Sequence, residues 1–417
     1  VIERLVVIND LSVASGGASA LAIESAKQFQ ALGYPTTFIS GDSGANDDLL
    51  ALGIEIKALG AGRLLDRGAW AAVSGLYNRP AFQMVRRWIA ENDTPGTVYH
   101  LHGWSQILSP SVMDALQPVR RRLTISAHDF FLVCPNGSYS FFSTGHRCEL
   151  TPMSVACMSA NCDRRSYAQK VWRVARQALC RLFMRPREYP NILLIHEDMS
   201  AAFIRSGVPQ SRLVTVRNPV TPYTSERIAA EHNRTFVFIG RLEETKGADL
   251  AAAAARLAGV HMCFIGDGAL RATLQKRYPE MTFTGHQHRG NIGRLLGDAR
   301  ALVMPSRYPE PFGLVAVEAL WSGLPVISGR TAFLTRDIEA AGAGRGCDPR
   351  DEAAFADLLR EVANDDALCR KMSENAFSNT ASIAMSPEDW TKSLLCVYRD
   401  ILSQTKTSAV GPTGAAA

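Results

Sequence analysis

No apolar run in this sequence approaches the ~20 residues that a membrane-spanning helix needs. The early run RLVVI is too short for the ~7–15-residue apolar core of a secretory signal. Charge of one sign is scarcely in excess. The 45 Lys and Arg against 40 Asp and Glu leave +5, which does not by itself argue for a nucleic-acid partner. A G-x-G-x-x-G dinucleotide fingerprint is missing, because GDGALR after CFI lacks the third glycine. No D-x-D metal motif precedes Arg241 and Lys246. The nine cysteines are odd in number and include no C-x2-C pair, so a reducing compartment is the simplest setting. These absences together lead to the expectation of a cytoplasmic protein with no nucleic-acid partner.

What is present is length and alternation. A chain of 417 residues is too long for one compact core, and domains of ~100–200 residues make two the natural number. RLVVIND, TTFIS, TVYHLHG and RLTISAH are short apolar runs with helical patterns between them, such as Ala18–Leu32. TFVFIG, HMCFIG, MTFTG, ALVMPS and LPVIS repeat the scheme further on, joined by helical segments near Ala248–Leu257, Ala269–Tyr278, Ile292–Leu296 and Leu314–Trp321. Such alternation means parallel sheets with helices on both faces. The fold class is therefore α/β, with two doubly wound Rossmann-like domains facing a central cleft. The expected division is 1–217, with a Cys-containing insertion at about 130–165, then 218–385. A C-terminal helix at 386–404 is expected to pack back on the first domain, and 405–417 reads as a disordered tail. Pro219 and Pro222 break regular structure near the boundary.

In such sheets ligands bind beyond the carboxyl ends of the strands, and the chemistry-bearing residues fall there. PEPFGLVAVEAL carries Glu310 and Glu318 with seven residues between them. A carboxylate inside the apolar stretch is costly without donors, so Glu318 needs partners. Gly313 opens a helix whose free N–H groups can face an anion. Arg241 and Lys246 follow the strand TFVFIG and supply positive charge. Gly16 and Gly17 form a loop after the first strand.

These elements, in this order, resemble the retaining glycosyltransferases of family 4 (glycosyl transferases group 1), which have the GT-B fold. The resemblance runs over nearly the whole chain. It implies a metal-independent transferase, without a cofactor, that moves a sugar from a nucleotide-diphospho-sugar to a glycan or lipid-linked acceptor in surface polysaccharide or glycoconjugate synthesis. It implies catalytic duty for Glu310, His128, Arg241 and Lys246. It implies donor binding by Gly16, Gly17, Arg241, Lys246, Gly285, His286, Glu310, Phe312, Gly313, Leu314, Val315 and Glu318. Glu310 would face sugar hydroxyls and the developing oxocarbenium charge, and Glu318 the ribose hydroxyls. Gly285 and His286 would hold the base. Asn218 matches a hinge asparagine of the family, although NPV stands here for the commoner NGV.

Several readings stay open at this level. His128 and Asp129 end the strand TISAHD, and His128 is either catalytic or a hydrogen-bonded neighbour; His100 and His102 read as structural. Cys134, Cys148, Cys157 and Cys162 either bind a structural zinc or are free thiols. The stretch 164–187 holds eight Lys or Arg and no acid, with apolar residues at helical spacing. It is either a helix for a membrane surface, placing the protein peripherally at the inner face, or a packing helix with a solvated basic face. The competing functions are a two-lobed α/β binding protein without chemistry and a GT-B epimerase or phosphorylase.

Overall fold

The computed structural model describes residues 1–66, 70–184 and 189–409. They divide into two compact units. The first holds Val1–Tyr139, Glu149–Val216 and the chain from Glu388; the second holds Ser140–Cys148 and Arg217–Pro387. Part of the cysteine insertion, 140–148, thus groups with the second unit rather than with the first, where the sequence had placed it. No helix among the described residues is long and apolar enough to cross a membrane.

The first unit is built on a seven-stranded parallel sheet. Its strands are β1 (Arg4–Asn9), β2 (Thr36–Ser40), β3 (Glu55–Ala58), β4 (Thr97–Leu101), β5 (Leu123–Ala127), β6 (Asn191–Leu194) and β7 (Leu213–Thr215). Their order is β3-β2-β1-β4-β5-β6-β7, so the winding reverses between β1 and β4. Val6 of β1 registers with Thr37 on one side and Tyr99 on the other. The central strands are buried on both faces, which is why they read as continuous apolar runs.

The second unit has six parallel strands, β8 (Thr235–Ile239), β9 (Met262–Ile265), β10 (Thr282–Gly285), β11 (Ala299–Met304), β12 (Val326–Gly329) and β13 (Gly344–Cys347). Their order, β10-β9-β8-β11-β12-β13, reverses between β8 and β11. Helix Ala248–Ala258 buries Ala251, Ala252, Ala254 and Ala255 against Phe236, Phe238 and Phe264, and these small side chains let its backbone lie close to the sheet. The two sheets are the α/β architecture expected from the alternation of runs.

Asn218 enters the second unit as backbone: its carbonyl accepts from Met385 N–H at 3.2 Å, and Val220 N–H donates to Met385 O at 2.9 Å. The last helix, Pro387–Ala409, places Tyr398 against Phe29 and His100 of the first unit. It continues through 405–409, which corrects the expected start of the tail; 410–417 lie outside the described residues.

Candidate functional site

The C-terminal edge of the second sheet gathers most of the residues picked out by sequence. Glu310 lies in the loop after β11, with both carboxylate oxygens engaged. Oε1 accepts from Lys246 Nζ at 2.6 Å and Oε2 from Ser306 Oγ at 2.5 Å. Burial pushes the Glu310 carboxyl up, but the Lys246 charge and the bonds from Lys246 and Ser306 outweigh it and hold it below the ordinary value. Lys246 shows the reciprocal balance: burial pulls it down, and Glu310 with Tyr308 holds it above the usual lysine range. Its ammonium lies 5.5 Å from the centre of the Tyr308 ring.

Backbone geometry brings these two loops together. Gly247 ends the turn Glu244–Lys246 at φ 73°, and a Cβ there would lie 2.1 Å from Pro305 O. Arg307 N–H donates to Thr245 O at 3.0 Å, and its guanidinium grips Asp249 through two bonds of 2.7 and 2.6 Å. Arg241 is less committed. Its side chain is 65% exposed and pairs with Glu243 at 2.9 Å.

Gly313 caps the short helix Leu314–Leu320 at φ 77°. A Cβ on it would lie 2.8 Å from Met304 Sδ and 4.0 Å from Glu310 Cδ, so the start of the helix adjoins the Glu310 carboxylate. Phe312 is buried in the wall, while Leu314 and Val315 are half-buried in the first turn. Glu318 finds its donors within the chain: Tyr223 Oη donates to Oε2 at 2.7 Å, and Arg289 bonds Oε1. The Arg289 guanidinium also lies 4.7 Å from the centre of the Tyr223 ring. Burial, then the Glu318 charge, pushes the Tyr223 phenol far up.

Gly285 ends β10 with φ 73°, and its carbonyl accepts from Gly266 N–H at 2.9 Å; His286 beyond it is exposed. Gly266, at φ 145°, leaves no room for a side chain, since its Cβ would lie 1.9 Å from Gly240 O. Gly266→Ala is therefore expected to lower stability by ~1–3 kcal/mol through overpacking and strain. A melting temperature equal to that of the parent chain would show that this junction tolerates displacement.

The first unit collects its own titratable groups at the carboxyl ends of β1, β4 and β5. Asp10, His102, His128 and Asp129 line one recess with Trp104 and Ser126. Asp10 accepts from the backbone N–H of Gln106, Ile107 and Leu108 at 2.7, 2.9 and 2.8 Å, and burial still raises its carboxyl. His102 Nδ1 meets His128 Nε2 at 3.1 Å, and the two rings stack with centroids 5.3 Å apart. His100 is held by Tyr398 Oη at 2.6 Å and Ser126 Oγ at 2.8 Å. Burial pulls His128 down to about 4 and His100 to about 3, so both imidazoles are neutral at pH 7. Burial pushes Asp129 up to about 6, against the Phe131 N–H and the Arg176 charge. Gly16 and Gly17 sit exposed where helix Gly17–Ala31 begins, with open space around Gly16.

Sequence reasoning missed Ser306, Tyr308, Tyr223, Arg289 and Asp10. Ser306 meets Glu310 four residues on, whereas Tyr308, Tyr223, Arg289 and Asp10 acquire their roles from partners distant in the chain. The helix Tyr167–Phe183 also differs from the expected basic surface. Lys170 and Arg176 are buried, and Arg173 pairs with Asp163 at 3.2 Å. Tyr167, Val171 and Leu182 are instead 45, 53 and 55% exposed. The end of the stretch, 185–187, lies outside the described residues.

Residues 224–379 match the family model described as glycosyl transferases group 1. Glycogen synthase of Mycobacterium tuberculosis is 34% identical over 163 residues, covering 36% of this chain and 39% of that protein. D-inositol 3-phosphate glycosyltransferase of Corynebacterium kroppenstedtii is 28% identical over 233 residues, covering 50% and 51%. The chain thus spans about half or less of the length of these relatives. Among solved structures, Anabaena HepE in complex with UDP is similar at a TM-score of 0.69 and 15% identity, over 95% of this chain and 100% of that one. The chain has the GT-B fold of this solved neighbour, and its residues 224–379 match the glycosyl transferases group 1 model.

Proposed function

We propose that this protein is a retaining glycosyltransferase that uses a nucleotide-diphospho-sugar and works without a metal. The observation that carries the reading is the Lys246–Glu310–Ser306 cluster beside the start of helix Leu314–Leu320. An ammonium has three N–H donors, and Glu310 takes one, so Lys246 can also donate to a departing diphosphate. Glu310, kept ionised, can meet positive charge growing on the sugar. Arg241 adds an exposed cation. Gly285 and His286 would take the base, and Glu318 the ribose. Gly16 and Gly17 would add backbone donors at the donor sugar. His128, neutral at pH 7, would serve the donor sugar and acceptor hydroxyl. No enzymic nucleophile stands in this set, which favours front-face transfer with the leaving phosphate oxygen taking the acceptor proton. UDP bound to HepE and the activities of the named relatives agree with a nucleotide-sugar donor.

Titration with UDP-, GDP- and ADP-sugars, followed by product analysis, tests this. One donor class is expected to bind and to give a product with the donor's anomeric configuration. Inversion would remove the retaining mechanism. Tight binding without transfer or hydrolysis would favour a two-lobed binding protein.

The acceptor is proposed to be a glycan or lipid-linked, handled at the inner membrane face. The exposed Tyr167, Val171 and Leu182 fall on one face of their helix, and Arg164 and Arg165 are exposed at its start. With Lys170, Arg173 and Arg176 turned inward, the contact is expected to be mainly apolar. Sedimentation with vesicles should show binding that salt weakens only modestly and that Val171→Asp with Leu182→Asp abolishes. No binding to anionic or neutral vesicles would favour a soluble acceptor.

A further inference from the structure

Lys170 is the most unusual group outside the proposed site. It is 0% exposed, yet among the described residues no carboxylate pairs with it. Its ammonium donates to Cys162 Sγ at 3.0 Å and lies 3.9 Å from Cys157 Sγ. Burial pulls Lys170 down, and the sulfurs of Cys162, Cys157 and Cys134 more than offset it. A buried ammonium held chiefly by sulfur is a weak structural choice, since an acid would pair better. The lysine occupies the space among the cysteines where the zinc reading would put a metal.

We propose that Lys170 and Cys162 form an oxidant-dependent covalent cross-link, a nitrogen–oxygen–sulfur bridge, that staples the cysteine insertion to helix Tyr167–Phe183. Three observations support it. The nitrogen and sulfur are already at 3.0 Å, a gap suited to one bridging oxygen, whereas a direct S–N bond would need far closer approach. Cys162 and Cys157 are 5 and 6% exposed, so a small oxidant can reach them where a protein oxidant cannot. The cover is thin, for Val155 and Met158 on the short helix that carries Cys157 are exposed.

The oxidant is a peroxide. The first peroxide converts the Cys162 thiol to sulfenic acid and leaves as water. The Lys170 ammonium releases one proton to solvent, and the second peroxide removes one hydrogen from the sulfenic oxygen and one from the resulting amine, which become joined through an O–N bond, and leaves as two waters. In sum, one thiol, one amine and two peroxides give the bridge and three waters. Sulfur and nitrogen lose four electrons, and the peroxides gain them. Excess thiol returns the lysine and the cysteine with release of one water.

The test is mass spectrometry of the full chain after treatment with hydrogen peroxide. The expected product gains one oxygen and loses two hydrogens. Its Lys170 and Cys162 peptides are joined, trypsin fails to cut after Lys170, and excess thiol reverses the change. Cys157→Ser should keep the product. Cys162→Ser, a near-isosteric change with an unchanged melting curve expected, should abolish it, as should Lys170→Met. A Cys157–Cys162 disulfide, a direct S–N link, or sulfinic acid at Cys162 as the main product would overturn the proposal. So would one zinc per purified chain with all three thiols protected from oxidation.

Discussion

Glu310→Gln is expected to lower turnover by ~10²-fold or more, with donor affinity little changed, because it removes one electrostatic contact made chiefly in the transition state. Glutamine keeps the shape and can still meet Ser306, so the fold should persist. What is lost is the negative charge beside the reacting sugar. The pair is poised for this role across the neutral range. Glu310 is held below its ordinary 4.5, so its contribution to stability is fully present above that value and fades as pH falls through the lowered one. Lys246 is held above its ordinary 10.5, so its contribution is present below that value and fades as pH rises through the raised one. Turnover and donor affinity measured on a folded variant decide the matter. Near-parental turnover would remove Glu310 from the catalytic set.

Lys246→Ala should weaken binding of the free nucleoside diphosphate by ~1.5–3 kcal/mol, the size of one charge-assisted contact. Arg241→Ala should cost less, because an exposed guanidinium already shared with Glu243 gives up less on removal. The lysine variant has a second signature. It leaves the Glu310 carboxylate facing the burial that pushes its pKa up, with Ser306 and the more distant Arg241 as remaining support. Acid inactivation is then expected to begin at a higher pH than in the parent chain, with a stability loss of ~1–3 kcal/mol, reduced from the fully buried case because solvent reaches both side chains. Calorimetric titration with the nucleoside diphosphate and a pH series of melting curves measure both effects. Unchanged diphosphate affinity in both variants would move the phosphate site elsewhere.

The layered fold and the order of the site's motifs can be read from the residues alone. Strands buried on both faces must be apolar throughout, so β1, β4, β5, β8 and β11 were legible. The loops after them carry Glu310, Lys246 and His128 because that is where a parallel sheet leaves backbone and side chains free. Of the edge strands, β10 was legible as MTFTG, and β3, β7 and β13 were not. β3 is largely exposed, and β13 is Gly-Arg-Gly-Cys, where Gly344 is required because a Cβ would lie 2.0 Å from Val326 O.

Pairing between side chains, by contrast, is set by how the chain folds back on itself. Glu318 called for donors, and nothing local named Tyr223, 95 residues away, or Arg289, 29 residues away. The helix Tyr167–Phe183 misled for the same reason. Helical periodicity fixes which residues share a face, but not which face turns inward. Charge normally settles that by seeking water. Here Asp163, Cys162 and the carbonyl of Ser105 receive Arg173, Lys170 and Arg176 inside, and the apolar residues are left outside.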